Sequence, residues 1–387
     1  VHVRAITMTL ILSEGLVLPR QDQEVVPWVT SLLQRAQQLG ASDLHIDPQA
    51  QGACLRLRIN GLLQDWLDVP AAWQPRLVSR LKVMAQMDLA EKRLPQDGRL
   101  VDGGQGLSHI RVASLPTLHG EKLCLRLADS GQMPSLPALA LPASTLAALV
   151  QNLARPEGLI LITGPTGAGK TTTLYACLQH LNARHRHIAT VEDPVERLLP
   201  GINQTPIQPR IGLGFAQVLK ALLRQDPDVL MVGEIRDRDT AEMAIQAAET
   251  GHLVLSTLHS GTATEALTRL RHLGLPGYLL ADCLRMVVTQ RLIRRLCPHC
   301  KQADAEGFVA SQGCVYCRQG HDQRLGLFEH IEMSPALAQL CIQGADRQSL
   351  QACATQAGWP TLRSSAEAMW QHGDISRNEL LRVLGNE

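Results

Sequence analysis

Gly164-Pro-Thr-Gly-Ala-Gly-Lys-Thr171 decides the reading of this chain, because it places two glycines with four residues between them and follows them with Lys and Thr. That pattern makes a loop whose backbone N–H groups surround phosphate oxygens. Gly164, Gly167 and Gly169 lack side chains, so the main chain approaches an anion closely. The binding set read from the loop is Gly164, Pro165, Thr166, Gly167, Ala168, Gly169, Lys170, Thr171 and Thr172. Lys170 would reach the β- and γ-phosphates, and the Thr171 hydroxyl would help hold Mg²⁺. Leu159-Ile-Leu-Ile-Thr163 ahead of the loop reads as a buried strand. Thr172-Thr-Leu-Tyr-Ala-Cys-Leu-Gln-His-Leu181 behind it reads as a helix, whose N-terminus favours anions.

Working outward from the loop, apolar runs at 159–163, 188–191, 229–232 and 253–257 alternate with helical patterns. That alternation predicts a parallel sheet with helices on both faces. Residues 278–296 read as helical and end in the basic cluster Arg291, Arg294 and Arg295, and the tail from about 330 reads as short helices. Ahead of the loop, 23–39 reads as a helix closed by Gly40. Cys54-Leu-Arg-Leu-Arg-Ile-Asn-Gly-Leu-Leu63 alternates like a half-buried strand around the turn signal Asn60-Gly61. A helix near 75–87, strands flanking the loop at 94–99, and strands at 110–113 and 122–127 complete a small α/β domain. Gly131, Pro134, Pro137 and Pro142 mark a linker. The expected organisation is an extension at 1–24, an α/β domain at 25–128, a linker at 129–143, a nucleotide-binding domain at 144–290, a metal module at 291–330 and a helical region at 331–387.

Asp228-Val-Leu-Met-Val-Gly-Glu234 is an apolar strand ending in a carboxylate, placed to serve Mg²⁺ or water. Glu192-Asp-Pro-Val-Glu196 follows another strand, and water attack on a phosphoryl group needs a residue that orients or deprotonates the water. Singly, each acid reads as a solvated surface residue; their placement at the C-terminal ends of strands is what points to a site. His252 and His259 bracket the strand 253–258, as sensors of the phosphate or of a neighbouring subunit, or as structural residues. Cys297-Pro-His-Cys300 and Cys314-Val-Tyr-Cys317 form two C-x₂-C pairs with the spacing of a structural zinc site; His299 is left out of that set.

Composition excludes several classes. Over 387 residues the formal net charge is +1 and aromatics are 3%, which argues against a nucleic-acid-binding surface. No apolar run reaches the roughly 18 residues that span a bilayer. Ala5-Ile-Thr-Met-Thr-Leu-Ile-Leu12 reads as an N-terminal strand and not as a signal peptide, since no small-residue cleavage site follows it. The six cysteines outside the two pairs sit among apolar neighbours, as in a reducing compartment. A cytoplasmic protein is expected, reaching a membrane only through partners.

These pieces together resemble the secretion ATPases of type II secretion and type IV pilus assembly. The boxes that carry the resemblance are the phosphate loop 164–171, Thr190-Val-Glu-Asp-Pro-Val-Glu196, Leu230-Met-Val-Gly-Glu-Ile-Arg-Asp237 and Thr250-Gly-His-Leu-Val-Leu-Ser-Thr-Leu-His259. In the front domain they are Ala41-Ser-Asp-Leu-His-Ile-Asp-Pro48, Leu94-Pro-Gln-Asp-Gly-Arg99 and Leu115-Pro-Thr-Leu-His-Gly-Glu121. The tetracysteine set after Gln290-Arg-Leu-Ile-Arg-Arg-Leu296 matches the assembly branch and sets the chain apart from retraction motors. The resemblance implies an α/β protein with a RecA-like P-loop motor domain, a preceding PAS-like α/β domain and a zinc module. It implies ATP hydrolysis with Mg²⁺ and Zn²⁺, a homohexamer, an inner-membrane platform protein as partner and no nucleic acid. Glu196 would be the general base and Glu234 would act with Mg²⁺ and the γ-phosphate. His252 and His259 would couple nucleotide state to the sheet, and Arg111 and Arg126 would reach the phosphates. The form resembled lacks the family's N-terminal docking domain. Asn60 stands for the usual aspartate, Ser260-Gly-Thr262 for Thr-Asn-Asp, and the loop between the cysteine pairs is short. The competing readings are a retraction motor, a nucleotide-gated scaffold without turnover and a nucleic-acid translocase.

Overall fold

A computed structural model describes residues 18–100, 110–127, 133–304, 307–317 and 319–385. The segment at 5–12 and residues 129–132 of the expected linker lie outside the described residues. The chain divides into two compact units, Val1–Gln132 and Met133–Glu387.

In the first unit, helix α1 (Val25–Gln38) is followed by strands β1 (Ala41–Gln49), β2 (Gly52–Ile59) and β3 (Leu62–Pro70), helix α2 (Gln74–Met84), and strands β4 (Gln96–Leu100), β5 (Ile110–Thr117) and β6 (Gly120–Arg126). The strands form one sheet in the order β3-β2-β1-β6-β5-β4, antiparallel throughout. Alternate residues Leu44, Ile46, Leu55, Leu57, Leu123 and Leu125 turn to one face and meet Val29, Leu32, Leu33, Leu77 and Leu81 of the two helices. Asn60 and Gly61 both take positive φ, as the tight hairpin between β2 and β3 requires. The expected loop at 94–99 is half strand: β4 starts at Gln96, whose amide accepts from the Asp88 N–H at 2.8 Å and donates to the Glu91 carbonyl at 2.8 Å.

In the second unit, a 3₁₀ turn (Leu136–Leu139) leads to α3 (Ala143–Leu153), β7 (Gly158–Thr163), α4 (Lys170–Leu181), β8 (Ile188–Glu192), β9 (Asn203–Pro206), α5 (Phe215–Leu222), β10 (Val229–Val232), α6 (Arg238–Glu249) and β11 (Leu253–Leu258). Then come α7 (Ala263–His272), α8 (Gly277–Cys283), β12 (Leu284–Leu296), β13 (Gln302–Asp304), β14 (Gly307–Val309) and β15 (His321–Glu332). The tail holds α9 (Pro335–Ile342), α10 (Arg347–Gln356), α11 (Leu362–Gln371) and α12 (Arg377–Leu384). Ser334, Asp346, Thr361 and Ser376 each accept a first-turn N–H from these four helices, which is why the tail breaks into short pieces.

The main sheet runs β15-β12-β7-β11-β10-β8-β9. Its strands are parallel except β15, which pairs antiparallel with β12, so the sheet is mixed rather than purely parallel. Both faces are covered. Leu159 and Leu161 pack with α6 and α7 residues such as Ala244 and Leu267, while Ile160 and Ile162 pack with Leu149, Leu174 and Leu178 of α3 and α4.

The helix expected over 278–296 is a strand for most of its length. Only the short α8 is helical, and β12 takes the rest, crossing the position 290/291 where a domain boundary was expected. Leu284, Val288, Leu292 and Leu296 recur every four residues, a helical spacing that strand pairing overrides here. The basic cluster at its end is neutralised within the unit. Arg294 donates to Glu379 at 3.0 and 2.6 Å, Arg295 pairs with Asp322, and Arg291 Nη2 donates to the Gly261 carbonyl at 3.0 Å.

The first residue of α8 touches the end of α9: a Cβ on Gly277 would lie 1.9 Å from the Cys341 carbonyl oxygen. Gly277→Ala should therefore destabilise the chain by about 1–3 kcal/mol, as overpacking does. Urea unfolding followed by circular dichroism checks this, and an unchanged midpoint would remove the close approach.

Candidate nucleotide site and metal centre

Four of the parallel strands leave the sheet at one edge. There β7 runs into the loop 164–169, β8 into the acidic segment, β10 into Gly233 and Glu234, and β11 into His259. Gly164, Gly167 and Gly169 all take positive φ. Gly164 has no room for a side chain, since its Cβ would sit 2.4 Å from the Gln290 carbonyl oxygen. Pro165, Thr166, Gly167 and Thr171 are exposed, Ala168 is buried, and Gly169, Lys170 and Thr172 lie between. Lys170 Nζ donates to the Gly164 carbonyl at 2.9 Å and the Pro165 carbonyl at 3.0 Å. Burial lowers its pKa, with Glu234 opposing. The loop thus shows a cradle of N–H groups at the start of α4 with a cation folded over it, which is what a phosphate chain requires.

The three carboxylates of 192–196 have different surroundings. Glu192 is buried and accepts from Tyr175 Oη, from Thr190 Oγ1 at 2.6 Å and from Gln204 Nε2 at 3.0 Å. Burial pushes the Tyr175 phenol up, and Glu192 adds to that. The same phenol accepts the backbone N–H of Glu196 at 3.2 Å, so a buried pair anchors the main chain beneath an exposed acid. Glu192 is an internal acceptor, and Asp193 and Glu196 face solvent.

Glu234 is largely buried, paired with Arg236, and 3.7 Å from His259 Nε2. Arg236 also lies 3.7 Å from Asp193, linking the ends of β8 and β10. Burial lowers the His259 pKa and the charge of Lys170 lowers it further, so the ring faces Glu234 uncharged at neutral pH. His252 is elsewhere. It precedes β11 at the opposite edge of the sheet, where its Nδ1 lies 3.0 Å from the Ala247 carbonyl oxygen. The length of β11 separates the two histidines, roughly 20 Å at the usual strand rise. Within one chain His252 does not join the phosphate loop. Thr262, in the segment Ser260-Gly-Thr262, caps α7 by accepting the Glu265 N–H at 3.2 Å, and Glu265 accepts the Gly261 N–H at 2.6 Å.

In the first unit, Arg126 stands opposite Arg111 in the β5–β6 register, and Arg99 stands opposite Arg111 across β4–β5. Arg126 Nε donates to Asp43 at 3.3 Å, and Arg58 approaches the other oxygen of Asp43 at 3.8 Å. Directly paired residues share a face, so these arginines line the side of the sheet away from α1 and α2.

The four Sγ atoms of Cys297, Cys300, Cys314 and Cys317 lie within 4.8 Å of one another. Separations of 3.8, 3.4 and 3.6 Å between neighbouring sulfurs compare with about 3.8 Å expected for thiolates around a tetrahedral zinc. The donor set and spacing fit zinc with no position left for a reactant. His299 is outside the cluster and stacks on Tyr316, with ring centroids 4.5 Å apart.

Tyr175, Gln204, Arg236 and Gln290 carry contacts to which the sequence reading attached no role. A phenol inside a buried helix and an amide ending an apolar run are signals of a kind, since each needs an internal partner.

Over residues 19–382 the chain matches the family described as "Type II/IV secretion system protein". It is 44% identical over 372 residues to "Protein transport protein HofB homolog" of Escherichia coli (strain K12), covering 92% of this chain and 81% of that protein. To "Type IV pilus assembly ATPase PilB" of Acinetobacter baylyi it is 41% identical, covering 94% and 67%. To "Type II secretion system ATPase E" of Vibrio cholerae it is 41% identical, covering 96% and 77%. Among solved structures, the pilus retraction motor PilT with bound ADP superposes with a TM-score of 0.63 at 25% identity, covering 91% of this chain and 96% of that one. The Legionella pneumophila ATPase DotB shares the fold, with a TM-score of 0.68 at 20% identity, covering 90% and 93%.

Tyr175→Phe removes a donor from the buried Glu192 and an acceptor from the Glu196 N–H. It should cost about 1–3 kcal/mol of stability. Denaturant titration measures this, and wild-type stability would show that Glu192 finds another donor.

Proposed function

We propose that this chain, which belongs to the type II/IV secretion system protein family, hydrolyses ATP to drive assembly of a type IV pilus or a type II secretion pseudopilus. One observation carries the reading. A phosphate cradle with Lys170, the exposed Glu196 and the nearly buried Glu234 share the edge at which the parallel strands of one mixed sheet end. Nine loop positions, 164–172, hold the triphosphate, and Lys170 neutralises its β- and γ-phosphates. Mg²⁺, held by Thr171 and served by Glu234, would withdraw charge from the transferring phosphoryl group. Glu196 orients and deprotonates the attacking water, with its backbone held by Tyr175. His259 relays the state of Glu234 to β11; the coupling role of His252, at the far end of that strand, rests on the sequence resemblance. The role of Arg111 and Arg126, stabilising charge on the phosphates, rests on the sequence resemblance.

Zinc on the four cysteines folds the module and does no chemistry. The working form is a homohexamer, cytoplasmic and peripheral at the inner membrane through a platform protein. Among the described residues no helix is long and apolar enough to cross a membrane. The parts expected at 1–24, 25–128 and 129–143 stand as the functional division ahead of the motor, whereas the cuts expected at 290/291 and 330/331 fall inside β12 and β15 of one sheet. The cysteine cluster favours an assembly role over retraction.

Lys170→Ala should abolish phosphate release and Glu196→Gln should lower kcat by about 100-fold or more, the usual worth of a general base. Circular dichroism should show both folded. A folded Glu196→Gln protein with near-normal turnover removes that residue as the base. Metal analysis of protein prepared without chelator should find about one zinc per chain; finding none would sink the zinc assignment.

A further inference from the structure

Gln290 lies on β12, next to β7, and is 2% exposed. Its amide nitrogen donates to the Ala168 carbonyl at 2.6 Å, and its amide oxygen accepts from Thr173 Oγ1 at 2.8 Å. Those partners flank the turn from loop to helix, one just before Gly169 and one in the first turn of α4. The residue also bounds the loop sterically. Its carbonyl oxygen would be 2.4 Å from a Cβ on Gly164, and its Nε2 3.1 Å from a Cβ on Gly169. One residue behind, Thr289 Oγ1 and Thr163 Oγ1 are 2.6 Å apart, locking β12 against β7 where the loop begins.

We infer that Gln290 is a positioning residue for the phosphate loop, holding its N–H groups in the anion-binding arrangement by bridging Ala168 and Thr173. It does not reach the phosphates. It replaces by two buried hydrogen bonds the ordering that a nucleotide would otherwise have to impose, so its effect belongs to nucleotide affinity and to KM more than to kcat. The inference rests on the nucleotide reading above. Only a side chain with one donor and one acceptor at this length serves both partners. A neutral carboxylic acid is the single natural substitute; a carboxylate, acceptor-only, faces the Ala168 carbonyl oxygen without a proton.

That chemistry gives a test internal to one variant. Binding of a fluorescent ATP analogue with Mg²⁺ is titrated on the full chain at about pH 8 and about pH 5.5, either side of a carboxyl group raised by burial. Gln290→Ala should bind roughly tenfold or more weakly at both, as for the loss of buried hydrogen bonds, with kcat changed less than KM. Gln290→Glu should bind weakly at the higher pH and recover towards wild type at the lower. The wild-type protein at both values corrects for titration of the nucleotide and of Lys170, His259 and Glu329. Wild-type affinity in both variants overturns the inference, and so does a Gln290→Glu defect that is equal at the two pH values, since that is packing alone. If Gln290→Ala fails to fold, the pH recovery of Gln290→Glu still decides. A wild-type chain that takes up no nucleotide removes the nucleotide reading and this inference with it.

Discussion

Parallel pairing forces strands to leave a sheet at one edge, and the arrangement of the second unit follows from that constraint. Once β7, β8, β10 and β11 pair in parallel, the loop 164–169, the 192–196 acids, Glu234 and His259 emerge side by side, although 95 residues separate the first from the last. The same constraint sends His252 to the far edge. A strand can bring its two ends to the same site only by reversing, and β11 runs unbroken and buried from Leu253 to Leu258.

Charge at that edge is held by groups that sequence position does not reveal. Glu192 would be costly to bury alone, and it is retained because Tyr175, Thr190 and Gln204 satisfy it. Its gain is indirect, because the phenol that satisfies Glu192 also fixes the main chain at Glu196. Arg236 does the corresponding work for Glu234 and Asp193. Arg236 pairs with Glu234 directly, and Lys170 lies near enough to feel the same carboxylate.

Legibility in the sequence followed locality. The loop 164–171 and the paired cysteines are short patterns whose chemistry depends on spacing alone, and the structure places the four sulfurs together. The tail helices were readable because each begins at a side-chain cap. Strand β12 was not, because Leu284, Val288, Leu292 and Leu296 recur at a helical spacing, and the antiparallel β15 beside it follows from pairing across the intervening cysteine module. In the front unit, residues 54–59 and Asn60-Gly61 showed their hairpin in period and turn chemistry. Arg111 and Arg126 were named there through the resemblance alone; their alignment with Arg58 and Arg99 comes only from strand register.

The β12–β15 hairpin is then more than an edge of the sheet. From β12, Gln290 holds the phosphate loop, Arg291 holds the carbonyl of Gly261 just after His259, and Arg294 holds Glu379 of α12. From β15, Glu329 accepts the first N–H of α7 at 2.5 Å and that of α11 at 3.1 Å. Burial pushes its carboxyl up, and the two helix N–H groups pull against that. A carboxylate shared by two helix N-termini satisfies orphan donors of both and couples their positions, because neither helix can shift without giving up its acceptor. The loop, the segment after His259, the last two tail helices and the cysteine module are thus all fastened to one pair of strands. A change at the loop has a covalent and hydrogen-bonded route to the tail through that pair, and the rest of the sheet need not deform.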